Sequence, residues 1–240
     1  MPTRKPGQKA APIHVGIGGW NYAPWRGVFY PEGLPHTREL AYVGEHLTGT
    51  EINATFYRRQ KPATFAKWRG AVPDGFVFAV KGSRYCTYRK NLAEAEANIA
   101  TFLDQGIVEL GDRLGPINWQ LAATKAFDPD EIAAFLALLP ASHAGVPLRH
   151  AIEARHESFR DPAFFALARN AGVAVVLADA DKYPAFDEAS DHAPFVYVRL
   201  QNAVPDLQKG YDDAALDRWA ARARAWAEAG RESFVFFING

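Results

Sequence analysis

Cysteine is almost missing from this chain of 240 residues, where Cys86 stands alone. A single thiol excludes an intrachain disulfide and any zinc site built on several cysteines, and it suits a reducing, cytoplasmic setting. Excess charge is missing as well. Lys+Arg and Asp+Glu number 27 each, so no global field draws the chain to nucleic acid or to an anionic membrane, and only a local patch could. No apolar run approaches the ~18–20 residues that span a bilayer. The opening "MPTRKPGQKAAP" is basic and Pro-rich but leads into no apolar signal-peptide core. Residues 1–12 are therefore expected to be a disordered tail. The 16 prolines are scattered, so no low-complexity linker divides the rest, and residues 13–240 are expected to form one domain.

What is present is a series of short runs rich in β-branched and aromatic residues. They are "IHVGIGG" at 13–19, "TEINATF" at 50–56, "FVFAVKG" at 76–82, "PINWQLA" at 116–122, "HAIEARH" at 150–156, "VAVVLAD" at 173–179, "FVYVRLQ" at 195–201 and "SFVFFIN" at 233–239. Helical patterns separate most of them. "LAEAEANIATFLDQGIVELGDRL" reads as one long helix. "DPDEIAAFLALL" opens on Asp128 as N-cap, with Pro129 at the first helical position and Glu131 placed to reach back. "SFRDPAFFALARNAG" repeats that start at Asp161–Pro162 and stops at Gly172, "YDDAALDRWAARARAWAEAG" also stops at a glycine, and weaker helices fit 37–47 and 62–70. Residues 180–194 read as irregular loop.

Eight alternations of strand and helix in this length predict an α/β fold, a TIM-like (β/α)8 barrel. An open doubly wound sheet is the rival, but "GIGGWN" lacks the Gly-rich turn opening a helix that such a sheet would use. The chain stops at Gly240, directly after the eighth strand. The closing helix is then missing, and the natural protein is expected to continue with one. Counting faces from Asn239 inward sends Phe234, Phe236 and Ile238 outward, toward that missing helix.

Alternation of side chains along strands sorts the polar residues. Glu51, Asn53 and Thr55 share one face of the second strand; Glu153 and Arg155 share one of the fifth; Tyr197, Arg199 and Gln201 share one of the seventh. Lys81 lies in line with Val77 and Ala79, and Asn118 and Gln120 lie opposite Ile117, Trp119 and Leu121. The apolar faces must meet the helices, so the polar ones face the barrel axis, and they crowd toward the C-terminal strand ends where barrels carry their sites. Asp179 ends the sixth strand and Asn239 the eighth. Glu51, Lys81, Glu153, Arg155, Asp179 and Arg199 are thus expected to form one converging ring.

In that ring Lys81, Arg155 and Arg199 would hold an anion, since guanidinium forks match phosphate oxygens. Glu51, Glu153 or Asp179 would move a proton. The same three acids could bind a divalent cation such as magnesium, but the adjacent cations favour an anion and no cofactor is expected. The loop "GWNYAPWRGVFYP" offers Trp20 and Tyr22 near the mouth as ligand-stacking candidates, whereas Trp25, Phe29 and Tyr30 read as a satellite core. His156, on the opposite face from Glu153 and Arg155, reads as a cap more readily than as a catalyst.

With these residues in view, the chain resembles the YecE-like family, domain of unknown function 72. The matching stretches are "GIGGWNYAPWRGVFYPEGL", "EINATFYRRQKPATFAKWRGAVPDGFVFAVK", "LGPINWQLAA", "IEARHESF", "FVYVRL" and "FVFFING", in order over nearly the whole chain. The resemblance implies a TIM-like barrel without a settled reaction. It supports as site positions Trp20, Tyr22, Glu51, Asn53, Phe56, Tyr57, Lys81, Gln120, Glu153, Arg155, His156, Arg199 and Asn239. Three departures stand out. Thr87-Tyr88 replaces a Thr-His pair, "QLAATKAF" replaces a Gln-x-Pro-Pro stretch, and Gln201-Asn202 follows the strand arginine where His-Gly is usual. Losing two histidines weakens any histidine-dependent chemistry.

The resulting expectation is an enzyme binding a small phosphate-bearing anion at the barrel mouth, with phosphoester hydrolysis as the reaction class. The alternative is a non-catalytic barrel that binds a metabolite or nucleic acid.

Overall fold

Strands covered on both faces can be near-continuous in apolar residues, as the runs at 76–80 and 234–238 are. The computed structural model describes residues 10–187, 193–207 and 209–238. Its strands are β1 (Ile13–Gly18), β2 (Gly49–Ile52), β3 (Val77–Lys81), β4 (Leu114–Gln120), β5 (Ser142–His143), β6 (Val146–Pro147), β7 (His150–Glu153), β8 (Ala174–Val175), β9 (Leu177–Asp179), β10 (Val196–Leu200) and β11 (Ser233–Phe237). Only β5 and β6 pair antiparallel, as a small hairpin that periodicity does not announce. The other nine form one sheet in the order β8-β7-β4-β3-β2-β1-β11-β10-β9, and every pairing in it is parallel. Its two ends, β8 and β9, are consecutive pieces of one stretch separated by Val176, whose N–H donates to the Ile152 carbonyl at 2.9 Å. The sheet therefore returns on itself. It is a TIM-like barrel of eight staves.

Helices α1 (Glu39–His46), α2 (Ala54–Tyr57), α3 (Pro62–Gly70), α4 (Arg84–Thr87), α5 (Glu96–Leu103), α6 (Pro129–Ala137), α7 (Pro162–Asn170) and α8 (Asp213–Glu228) accompany the strands. Asp128 caps α6 through the N–H groups of Asp130 and Glu131, both at 3.0 Å. The Glu131 side chain does not reach back to the cap. It accepts instead from the Leu92 N–H at 2.6 Å and from Lys125 Nζ at 2.8 Å, tying α6 to the loop after α4. The single helix expected over 92–114 is broken: α5 ends at Leu103, and a 3-10 segment runs over Ile107–Arg113 after Gly106 turns left-handed at φ 100°. The second strand is shorter than its apolar pattern. It ends at Ile52, and α2 follows at once, so Asn53 and Thr55 leave the inward face.

The interior is layered. Phe195, Phe234, Phe236 and Tyr197 pack inside with Val77, Ala79, Ala151, Ala174 and Val176. Below them, Glu232 joins His14 at 3.0 Å and Arg149 at 2.6 Å. This overturns the expected facing of the last strand: Phe234 and Phe236 are fully buried inside, while Val235 and Phe237 face out against Trp226 and Ala223 of α8. The reason is volume. Gly16 and Gly49, adjacent across β1 and β2, bring no side chain to the axis, and the Phe236 ring lies 3.5 Å from where a Gly49 Cβ would stand. Ile238 likewise packs against the inner cluster, so the outward apolar face expected of Phe234, Phe236 and Ile238 does not form. Among the described residues no helix follows β11. Residues 1–9 of the expected tail lie outside the described set, but Ala11 donates to the Ala227 carbonyl and Pro12 accepts from Ser233, both at 3.0 Å.

Candidate functional site

At the C-terminal end of the strands, the inward faces of β2, β4, β7 and β10 carry Glu51, Asn118, Glu153 and Arg199. Arg199 stands between the two carboxylates. Its Nη2 donates to Glu51 Oε1 at 2.9 Å and its Nη1 to Glu153 Oε2 at 2.7 Å. Asn118 Nδ2 donates to both acids, at 3.2 and 3.3 Å. The Tyr197 hydroxyl donates to Glu51 Oε2 at 2.6 Å. One tier higher, Arg155 Nε donates to Glu153 Oε1 at 2.7 Å and its Nη2 to Gln120 Oε1 at 2.8 Å. Gln120 Nε2 donates in turn to the Tyr88 hydroxyl at 2.8 Å. The side-chain ammonium of Lys81, on β3, joins no hydrogen bond or ion pair among the described residues. Its ammonium lies 4.3 Å from the centre of the Phe56 ring.

Burial sets the electrostatics, and the arginines decide the sign. Glu51 and Glu153 are fully buried. Burial alone would raise the Glu153 pKa, but Arg199, Arg155 and Lys81 outweigh it and hold the carboxyl down at about 2. Burial pushes Lys81 down to about 8, helped by Arg199 and opposed by Glu51 and Glu153. Burial and the Glu51 charge push the Tyr197 phenol well up, so it remains a neutral donor. Burial disfavours the Arg199 charge, yet Glu153 and Glu51 keep it firmly protonated. Three cations against two carboxylates leave one positive charge at the mouth. Asn118 Oδ1 and Arg199 Nε are buried without a partner among the described residues.

A family described as "Protein of unknown function DUF72" matches residues 14–240. The chain belongs to the DUF72 family. Two solved DUF72 proteins are similar in fold. One, from Thermotoga maritima, has 21% identity and a TM-score of 0.74 over 95% of this chain and 92% of that one. The other, from Enterococcus faecalis, has 17% identity and a TM-score of 0.69 over 97% and 92%. A xylose isomerase-like TIM barrel/4-hydroxyphenylpyruvate dioxygenase fusion protein matches with 17% identity and a TM-score of 0.52, over 96% of this chain and 39% of that chain. At these identities the likeness is one of fold. No curated protein matches this chain.

The DUF72 barrel brings together Glu51, Lys81, Gln120, Glu153, Arg155 and Arg199, as strand alternation predicts. It separates Asp179 from them. Asp179 shares its face of β9 with Leu177, which packs in the outer cluster beneath α8. Its carboxylate accepts from Asn202 Nδ2 at 3.1 Å, and it lines a cavity of about 400 Å³ with Tyr211 and Trp219. The strand is interrupted at Val176, and its final residue turns away from the axis. With Asp179 gone, the three-acid set weighed for a divalent cation does not assemble, and no other such group occurs among the described residues.

The remaining DUF72 candidates occupy the rim. Tyr22 donates to the Gly18 carbonyl at 2.6 Å, and burial together with the Glu51 charge raises its pKa. Trp20 packs edge-on against Trp68 at 5.3 Å, so its ring serves the outer core as well as a 220 Å³ cavity shared with Tyr22 and Asn53. Tyr57 is 60% exposed. Trp25, Phe29 and Tyr30 pack on one another, but as part of the main core rather than the separate satellite expected: Tyr30 lies in it and the other two pack against it. His156 caps the turn after β7, its Nδ1 accepting from the Ser158 N–H at 3.2 Å. Gln201 follows β10 with its amide nitrogen buried and without a partner among the described residues. Asn239 lies outside the described residues. Asn118 and Tyr197 belong to the site although sequence reasoning did not rank them, and their inward alternation was the signal. Tyr88 and Tyr183 reach the mouth from loops, where no periodicity marks them; Tyr183 lies 4.2 Å beneath the Arg155 guanidinium.

Proposed function

We propose that the barrel mouth binds a small anionic ligand, phosphate- or carboxylate-bearing, with Lys81 as the cation that meets it. The observation that carries this reading is the pairing pattern. Glu51 and Glu153 are each engaged by Arg199, and Glu153 also by Arg155, while Lys81 is left without a carboxylate in contact among the described residues. A buried cation without a partner is costly, and a ligand anion would relieve that cost. Arg155 keeps its Nη1 available, since only Nε and Nη2 donate to described residues.

The finer expectation, phosphoester hydrolysis with Glu51 or Glu153 moving a proton, draws less support. A general acid or base works best with a pKa near the operating pH. Glu153 is held near 2 instead, and both glutamates spend their oxygens on Arg199, Asn118, Tyr197 and Arg155.

The test is calorimetric titration with inorganic phosphate and sulfate at low ionic strength. We expect saturable binding that weakens at least tenfold in Lys81→Met and in Arg155→Met, with far-ultraviolet circular dichroism unchanged. Undiminished affinity in both variants would place the anion elsewhere.

A further inference from the structure

We propose that Lys81 is a carbonyl-capturing residue, whose side-chain amine condenses with the aldehyde or keto group of the anionic ligand to form an imine. The proposal rests on the anion-binding reading above and gives it a substrate class: small aldehydes or ketones bearing a phosphate or carboxylate.

Three observations point to it. The first is isolation. The Lys81 ammonium has no hydrogen-bond or ion-pair partner among the described residues, although two carboxylates lie close enough to act on it electrostatically. Arg199 and Asn118 clasp those carboxylates from the axis and take up their oxygens. A lysine kept only for stability would be expected to pair with one of them.

The second is the setting. Lys81 is 7% exposed, at the end of β3, with the Phe56 ring beneath its amine and α2 pinned to its carbonyl by the Thr55 hydroxyl at 2.6 Å. Burial and the neighbouring guanidiniums disfavour the charged amine and bring its pKa to about 8. Roughly one molecule in ten then carries the free amine at pH 7, against fewer than one in a thousand for an ordinary lysine. The amine is the nucleophile in this chemistry, and a desolvated lysine among cations is how such amines are activated.

The third is a proton source. Tyr88 stands edge-on to the same Phe56 ring at 5.2 Å. Its oxygen accepts from Gln120, which leaves its own O–H to donate. The step then balances. The amine lone pair adds to the carbonyl carbon, and the carbonyl oxygen becomes a hydroxyl with the help of Tyr88. That hydroxyl leaves as water, carrying the Tyr88 proton and one amine hydrogen, while the other amine hydrogen returns to Tyr88. A C=N bond replaces the C=O bond, nothing is oxidised or reduced, and no co-reactant is needed.

The experiment is reductive trapping of the full chain at pH 7 with sodium cyanoborohydride. Pyruvate serves as the carboxylate probe and glycolaldehyde phosphate as the phosphate probe, each read by intact mass and peptide mapping. We expect one adduct, at Lys81, formed at least tenfold faster than at any other lysine by one of the probes. Excess inorganic phosphate should protect it, and Lys81→Arg should abolish it with the melting transition intact. If Lys81→Arg fails to fold, phosphate protection of the wild-type residue is the deciding measurement. Labelling of Lys81 no faster than of the other lysines with both probes, in a protein that binds phosphate, overturns the imine and leaves the anion site standing. Absence of both labelling and phosphate binding removes the two together.

Discussion

At the scale of single residues, the mouth contrasts two ways of burying charge. Glu153 is buried and saturated, whereas the buried Lys81 ammonium has no ionic partner among the described residues. Their effects on stability have opposite signs. The Lys81 pKa falls from 10.5 in an unfolded chain to about 8 here. Below pH 8 both states hold the proton, and folding must bury an ion. Between 8 and 10.5 the folded state sheds the proton first, so stability rises with pH through that window. Lys81→Met should therefore stabilise the protein at pH 7 by up to ~3 kcal/mol, at about 1.4 kcal/mol per pH unit. The gain should vanish as pH approaches 10.5. Denaturant midpoints of both proteins across pH 7 to 10.5 check this, and a lysine that is stabilising at pH 7 would contradict it.

At the scale of elements, β1 and β2 are built to be thin where β11 is thick. A Cβ on Gly16 would sit 1.9 Å from the Gly49 carbonyl oxygen. That atom belongs to the backbone of a paired strand and cannot swing aside. Gly16→Ala should therefore force β1 and β2 apart and cost more than ~3 kcal/mol, beyond the usual penalty for overpacking. The complementary change, Phe236→Ala, empties the volume that the glycines leave open and should cost ~3–5 kcal/mol. Urea unfolding of each variant measures both. A mild effect at Gly16 would mean that the two strands can separate without breaking their ladder.

At the scale of the whole molecule, the cluster of Glu51, Asn118, Glu153 and Arg199 joins β2, β4, β7 and β10 across the axis. It fastens opposite walls of the barrel as well as shaping a mouth. Glu153 drops from 4.5 to about 2 on folding. Its contribution is complete above pH 4.5 and is lost as pH falls through 2, because below both values the proton is bound in either state. Acid unfolding should consequently be steep between those limits. Glu153→Gln, which leaves Arg199 and Arg155 short of a counter-ion, should cost ~3–5 kcal/mol at pH 7 and flatten that slope. A pH series of thermal unfolding distinguishes the two proteins.

Several features follow from the chain without its folding. Strand alternation is a local rule of backbone geometry, so the inward placement of Glu51, Lys81, Gln120, Glu153 and Arg199 could be read directly. For the same reason an Asp-Pro pair marked the start of α6, an Asp-Pro pair and a glycine marked both ends of α7, and a glycine marked the end of α8. Alternation failed where the strand itself failed. It does not cover Asn53 and Thr55 past the end of β2, nor Asp179 beyond the interruption at Val176. It also misassigned β11, whose run of Phe and Val is apolar on both faces. Which phenylalanines go inward depends on volume left by Gly16 and Gly49, residues more than 180 positions earlier in the chain. The isolation of Lys81 is likewise a property of the closed barrel. It arises because Arg199, arriving from β10, reaches the two carboxylates first, and competition among partners for the same oxygens exists only after distant strands have met.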